Sequence, residues 1–147
     1  MAALSPSGFR PEDPESWEIR IDKEADIVAV RQRVRELAKE QRFDQFAVAA
    51  LTTAASELSR NVWVHAREGM SRITLLRQGK RVGLELVFTD HGPGIADLNR
   101  ALAGGFSTSK SLGLGLSGTK RLVDEFTIDT EPGRGTTIVI RKWKREF

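Results

Sequence analysis

The chain has 147 residues, enough for one domain with a buried core and too few for two comfortable ones. It has no cysteine and only two histidines, His65 and His91, which excludes disulfides, thiolate nucleophiles and histidine-rich zinc sites. A net charge of +3 is only mildly basic, no apolar run approaches the roughly 18 residues of a membrane span, and the N-terminus lacks a signal-peptide core, so a soluble cytoplasmic protein with no nucleic-acid or membrane partner is expected.

Residues 1–16 carry Pro6, Pro11 and Pro14 among serine, glycine and acids. Such a composition buries too little apolar surface to offset its ordering entropy, so a flexible tail is expected here and the domain is expected over 17–147. Trp17-Glu18-Ile19-Arg20-Ile21 alternates as a half-buried strand does. Asp22 is placed to cap the next helix, in which Ile27, Val30, Val34, Leu37 and Ala38 recur at helical spacing from Ala25 onward while Arg31, Arg33 and Arg35 fall largely off that face. A second helix is predicted from its cap Asp44 to about Ala66, with Ala47, Ala50 or Leu51, Ala54, Leu58 and Val62 as its core stripe. Residues 72–76 and 82–88 read as strands joined by a turn at Gln78-Gly79-Lys80, and the second runs directly into Asp90.

Beyond it, the pattern predicts a short helix over 97–103, a Gly/Ser/Thr loop over 104–112 and a helix over 114–126. Residues 126–130 and 136–143 close the chain as a strand pair around Glu131-Pro132-Gly133-Arg134-Gly135, and the basic run 141–145 reads as a solvated strand end. Helices early and in the middle, with strands paired as hairpins, predict an α/β two-layer sandwich: a mixed, mostly antiparallel sheet with helices packed on one face.

Glu57 and Asn61 lie four apart on the second helix, so both project from one side, where a carboxylate can orient a hydroxyl and an amide oxygen can ligate Mg2+. In Thr89-Asp90-His91-Gly92-Pro93-Gly94-Ile95 an acid ends an apolar strand and two glycines follow at alternate positions, a loop that lets backbone approach a ligand. The acid at that strand mouth needs a donor, and the exocyclic amine of adenine is one. Gly113, Gly115 and Gly118 match a dinucleotide G-x-G-x-x-G, but a polar loop precedes them where that motif requires a strand. What survives is a glycine-rich segment opening a helix whose free N–H groups favour phosphate. Gly104 to Ser111 misses the P-loop pattern at Ser109 and follows a helix instead of a strand, and Lys110 reads as a solvated loop lysine.

The order Glu57-x-x-x-Asn61, strand, Asp90-x-Gly92-x-Gly94, polar loop, Gly113-x-Gly115 and Gly135-Thr136 resembles the GHKL (Bergerat-fold) ATP-binding family of gyrase, Hsp90, histidine kinases and the small bacterial serine kinases, across residues 17–143. The 90–95 segment, Gly105-Phe106-Ser107-Thr108-Ser109 and Lys120-Arg121-Leu122-Val123-Asp124-Glu125-Phe126 are similar to the RsbT-type switch kinases of bacterial stressosomes, with Ser117 where relatives often place proline. The resemblance implies a serine/threonine kinase using ATP and Mg2+, with STAS-domain antagonist and scaffold proteins as substrates and, after release, an output enzyme such as a PP2C-type phosphatase as partner. It implies Glu57 as the general base or orienting carboxylate, Asn61 as the Mg2+ ligand and Asp90 as receiver of the adenine amine. Gly92 and Gly94 would shape the pocket, Gly113 and Gly115 would hold phosphates, and Thr136 would support the adenine site. An anti-sigma factor of the same fold, acting by nucleotide-gated sequestration, carries the same motifs. The 104–112 loop is expected to be a lid over the γ-phosphate, and His65, one turn beyond Asn61, is read as a helix residue without a catalytic role.

Overall fold

The computed structural model describes residues 15–95 and 115–145. Strand β1 (Glu15–Ile21) is followed by helices α1 (Ala25–Glu40) and α2 (Gln45–Ala66), the hairpin of β2 (Gly69–Gln78) and β3 (Arg81–Asp90), helix α3 (Gly115–Leu122), and the pair β4 (Glu125–Glu131) and β5 (Gly135–Trp143). The five strands form one sheet in the order β1-β2-β3-β5-β4. All four pairings are antiparallel, so the described sheet contains no parallel pair and the expected sandwich needs none.

Alternation along the strands separates the two faces. Ile21, Ile73, Leu75, Leu84, Leu86, Phe88, Ile138 and Ile140 are buried, and they join Val30, Val34 and Leu37 of α1, Leu51, Ala54, Leu58 and Val62 of α2, and Leu116 of α3 in one core. The helices therefore cover one face, as the hairpin-rich pattern implied.

Asp44 caps α2 as expected: Ala47 N–H donates to Asp44 Oδ1 at 2.9 Å. The expected cap at Asp22 is not formed. The residue at that helix boundary is Glu24, which makes no side-chain cap bond; instead Asp26 Oδ2, inside the first turn, accepts from the backbone N–H groups of Asp22 at 3.0 Å and Lys23 at 3.2 Å. Those backbone and side-chain bonds around Asp22, with Lys23 beside them, hold the Asp26 carboxyl below its ordinary value of 3.8. A carboxyl lowered on folding stabilises the fold above its unfolded value, and that contribution is lost as pH falls through the lowered one.

Other boundaries shift for identifiable reasons. The first strand starts at Glu15, two residues inside the expected tail, because Glu15 and Ser16 pair with Leu75 and Thr74 and the two hydroxyls of Ser16 and Thr74 lie 3.0 Å apart. The expected helix over 114–126 ends at Leu122. There the Lys142 ammonium donates to the Leu122 carbonyl at 3.0 Å, and Asp124 turns into the sheet: its N–H donates to Arg141 O, and its Oδ2 accepts from Trp143 N–H at 2.7 Å. The basic run closing β5 is thus largely used internally. Arg141 pairs with Glu85 at 2.8 Å and Glu125 at 3.5 Å, the Glu85 bond being the larger cause that raises its already high pKa, while Arg81 stacks 4.1 Å from the Trp143 ring centroid. Residues 1–14, the expected short helix over 97–103 and the expected lid over 104–112 lie outside the described residues.

The difference between the two aspartates is measurable by urea unfolding. Asp44→Ala should cost about 1 kcal/mol, the usual loss on removing an N-cap, whereas Asp22→Ala should stay within about 0.5 kcal/mol of the parent. Equal losses would contradict the capping assignment.

Candidate functional site

The register of the strands lines up one row across the sheet: Ile21, Gly69, Asp90, Thr136 and Thr130 stand opposite one another in turn. Side chains two residues apart on a strand share a face, so Asp90 continues the column of Leu86 and Phe88, and Thr136 that of Ile138 and Ile140. Both point toward the helix layer at the end of the apolar core. Asp90 Oδ1 accepts from Gly92 N–H at 2.9 Å, which fixes one carboxylate oxygen, while Oδ2 makes no hydrogen bond within the described residues. A carboxylate held by one oxygen with the other free suits a donor such as an exocyclic amine.

Thr130 ties this row together. Its hydroxyl accepts from Ile95 N–H at 2.9 Å and lies 2.8 Å from the buried Thr136 hydroxyl and 3.2 Å from the Gly135 carbonyl. Gly133 N–H donates to Pro93 O at 2.7 Å, so the segment after Asp90 is bound to the β4–β5 turn at two points. Gly94 runs beneath that turn at φ +76, where an added Cβ would strike the Glu131 carbonyl; no other residue type takes both that dihedral and that clearance without strain. A cavity of about 290 Å³ opens at the same strand ends, but besides Asp90 and Thr136 it is lined by Thr89, Asp129, Glu131 and Thr137, whose side chains alternate to the face away from the helices.

Helix α2 approaches the same end of the sheet. A Cβ built on Gly69 would sit 2.6 Å from Val62 Cγ1 and 3.3 Å from Asp90 Cβ, and one on Gly92 would sit 2.7 Å from Ala66 Cβ. Val62 and Ala66 are therefore in contact with the strand end that carries Asp90, and Asn61 precedes Val62 directly. Glu57 lies one turn earlier and is buried, with 7% of its surface exposed, although it belongs to the flank of the helix beside the apolar stripe. Taking a carboxylate out of water without an ion pair is unfavourable, and none of the ion pairs of the described residues involves Glu57. Of the expected site residues, then, Asp90, Gly92, Gly94 and Thr136 gather at one end of the core, beside the α2 turn that carries Asn61, with Glu57 one turn earlier. Gly115 is the first residue of α3, at φ +65, and Gly113 lies outside the described residues.

Two polar residues near these positions are not marked by the sequence. Thr130 offered a weak signal, a polar residue following Phe126 and Ile128 on the inward face of β4. Arg60, one turn from Glu57, keeps its Nε buried with no partner among the described residues, and nothing in a helix of mixed composition marks it.

The arrangement is that of an ATP-binding α/β sandwich, and comparison with known proteins agrees. The histidine kinase-like ATPase domain model matches residues 21–142, and the chain belongs to that family. It is 45% identical over 127 residues to the serine/threonine-protein kinase RsbT of Bacillus subtilis, covering 86% of this chain and 96% of the relative. Anti-sigma F factor of Thermoanaerobacter sp. is 28% identical over 65% of this chain and 70% of its own length. Among solved structures, the RsbU and RsbW domains of Rv1364c from Mycobacterium tuberculosis superpose with a TM-score of 0.60 at 21% identity, over 93% of this chain and 34% of theirs, and share the fold.

Thr130→Val keeps shape while removing the hydroxyl that joins the 90–95 segment to the row. The Ile95 amide should then exchange at least tenfold faster, and global stability should fall by roughly 1–3 kcal/mol, the loss attached to buried groups left unpaired. Unchanged Ile95 protection would show that the segment is held by the Pro93–Gly133 bond alone.

Proposed function

We propose that this chain is a cytoplasmic ATP-dependent serine/threonine kinase of a bacterial partner switch, transferring the γ-phosphate to a hydroxyl on a STAS-domain protein and, once released from it, engaging an output enzyme such as a PP2C-type phosphatase. The observation that carries the reading is the placement of Glu57 and Asn61 on the helix that closes over Asp90, in a chain 45% identical across nearly the full length of a serine/threonine kinase.

Asp90 would accept the adenine amine on its free oxygen, with Thr136 and Thr130 fixing the floor beside it and Gly94 leaving room for the base. Asn61 offers one amide oxygen, and the described residues hold no cluster of three histidine or carboxylate ligands. That donor set fits Mg2+, which takes one or two protein oxygens and completes its shell with phosphates and water, better than a metal needing a protein cage. When bound, Mg2+ would neutralise charge on the phosphates. Gly113 and Gly115 would bring the N-terminus of α3 to those phosphates.

Glu57 would orient the substrate hydroxyl and take its proton as the hydroxyl oxygen forms its bond to the γ-phosphorus and the bond to the β–γ bridging oxygen breaks, leaving ADP. Arg60, one turn away and with its Nε unpartnered among the described residues, would supply positive charge as negative charge redistributes over the transferring group. A second reading, nucleotide-gated sequestration of a sigma factor, draws on the 28% identity to anti-sigma F factors.

Nucleotide choice follows from Asp90. ATP and ADP should bind at least a hundredfold more tightly than GTP, whose O6 would face the carboxylate as a second acceptor and leave it unpaired. Calorimetric titration decides the matter, and equal affinities would remove Asp90 from the adenine site.

Glu57→Gln should lower phosphorylation of a purified STAS-domain substrate by two or more orders of magnitude while ADP affinity changes by less than about threefold, because the carboxylate acts mainly in the transition state. Radiolabel transfer measured beside ADP titration separates the outcomes. Undiminished labelling would clear Glu57 of a role, and nucleotide-dependent capture without labelling by the parent protein would favour sequestration.

A further inference from the structure

Phe46, in the first turn of α2, is 89% exposed, and the other exposed large apolar side chain among the described residues, Val28 on α1, is exposed by only 41%. An isolated exposed apolar residue is ordinary, but the surroundings of Phe46 are not. From Gln45 to Ser56 the helix carries no formal charge, although Gln45, Phe46, Ala49 and Thr53 are exposed to water. A surface helix normally turns charged residues outward, and three uncharged turns leave a face suited to burial against another molecule. Beside that face, between α1 and α2, runs a groove of about 610 Å³ lined by Phe43, Val48, Ala49 and Thr52, whose only charged lining residues among the described ones are Arg35 and Lys39.

We infer that the outer face of α2 from Phe46 to Thr53 is the docking surface for the phosphoacceptor protein, which inserts Phe46 into an apolar recess and sets carboxylates against Arg35 and Lys39. The inference rests on the kinase reading and deepens it. Two features select this occupant. A second copy related by a two-fold axis would bring the same patch against itself, and the described lining of that patch offers no carboxylate to pair with Arg35 and Lys39, whereas an acidic rim on a different protein is complementary. Geometry supplies the second. Phe46 and Glu57 are eleven residues apart on one helix, a rise of about 16 Å, which a standard interface of about 800 Å² per partner spans. A protein anchored at Phe46 and lying along α2 therefore reaches Glu57 with its own surface, so the helix that carries the catalytic carboxylate also measures the distance to it.

The test uses the full chain and a purified STAS-domain protein as probe, with Phe46→Ala and the double variant Arg35→Glu/Lys39→Glu. These side chains lie outside the core and outside the nucleotide machinery, so ADP affinity and the melting profile should match the parent. Phe46→Ala should raise KM for the protein substrate and its directly measured dissociation constant on the order of tenfold, as truncation of an aromatic anchor does, with kcat at saturation unchanged. The charge-reversed variant should weaken binding similarly and abolish most of its salt dependence. Binding and KM unaltered in both variants would overturn the docking surface while intact phosphorylation left the kinase reading standing. Binding that is lost on Phe46→Ala in a system where the parent transfers no phosphate would support the surface and sink the kinase reading. Failure of the parent to bind or label the probe would overturn both, and a parent dimer in light scattering that Phe46→Ala dissociates would overturn the choice of partner in favour of a second copy.

Discussion

The close approach of α2 to the end of the sheet is the constraint on which the site depends. Two positions permit it, Gly69 on β2 and Gly92 after β3, because a methyl group at either would meet α2 side chains at well under van der Waals distance. Gly69 lets Val62 settle against the strand beside Asp90, and Gly92 lets Ala66 close over the turn whose N–H holds the Asp90 carboxylate. With a larger residue at either point the helix would lift. Asn61 and Glu57 would then move away from Asp90 together, since all lie on one rigid element or are clamped to it.

Much of this was legible in the amino-acid sequence where one local rule acted alone. Helix α2 has an unambiguous cap in Asp44, a continuous stripe from Ala47 to Val62 and an end at Ala66, all of which follow from capping and periodicity. Asp90 was legible as a strand-end acid for the same reason. The failures occurred where tertiary hydrogen bonds compete with helical spacing. Val123 and Phe126 continue the period of α3, yet Asp124 gains a 2.7 Å bond from the Trp143 N–H by entering the sheet, and Lys142 satisfies the carbonyl left behind at Leu122. Asp22 looks like a cap because capping is read from residue type, but the carboxylate that serves the start of α1 comes from Asp26, inside the helix. The role of Thr130 depends on strand register between β4 and β5, which no local pattern fixes.

The basic C-terminal run, which reads as a solvated strand end, is in large part engaged within the fold. Arg141 and Trp143 bond Glu85, Glu125 and Asp124 on the side of the β3–β5–β4 sheet opposite the helices and at its edge, while Lys142 reaches across to the Leu122 carbonyl of α3. Gly83 makes room for the Trp143 ring, which a Cβ there would meet at 2.7 Å. Exposed pairs of this kind contribute little singly; bonded in series around one aromatic ring they define the register of the strand that also positions Thr136. Arg141 and Lys142 thus hold β5, whereas Arg35 and Lys39 between α1 and α2 are in no ion pair among the described residues.

Stability and function are therefore divided along α2 itself. Its inward stripe is apolar and continuous with the core, while the flank beside it carries two features that do not serve folding: a buried carboxylate at Glu57 without an ion pair among the described residues, and an exposed Phe46 that a fold selected for solubility alone would replace. Local rules hold at every position that packs against the sheet and fail at those two, eleven residues apart on one rigid helix. Violations that served only the isolated chain would have no reason to share an element. A helix held at its far end by Gly69 and Gly92 gives both the same fixed frame, so a protein meeting one of them meets the other at a set distance.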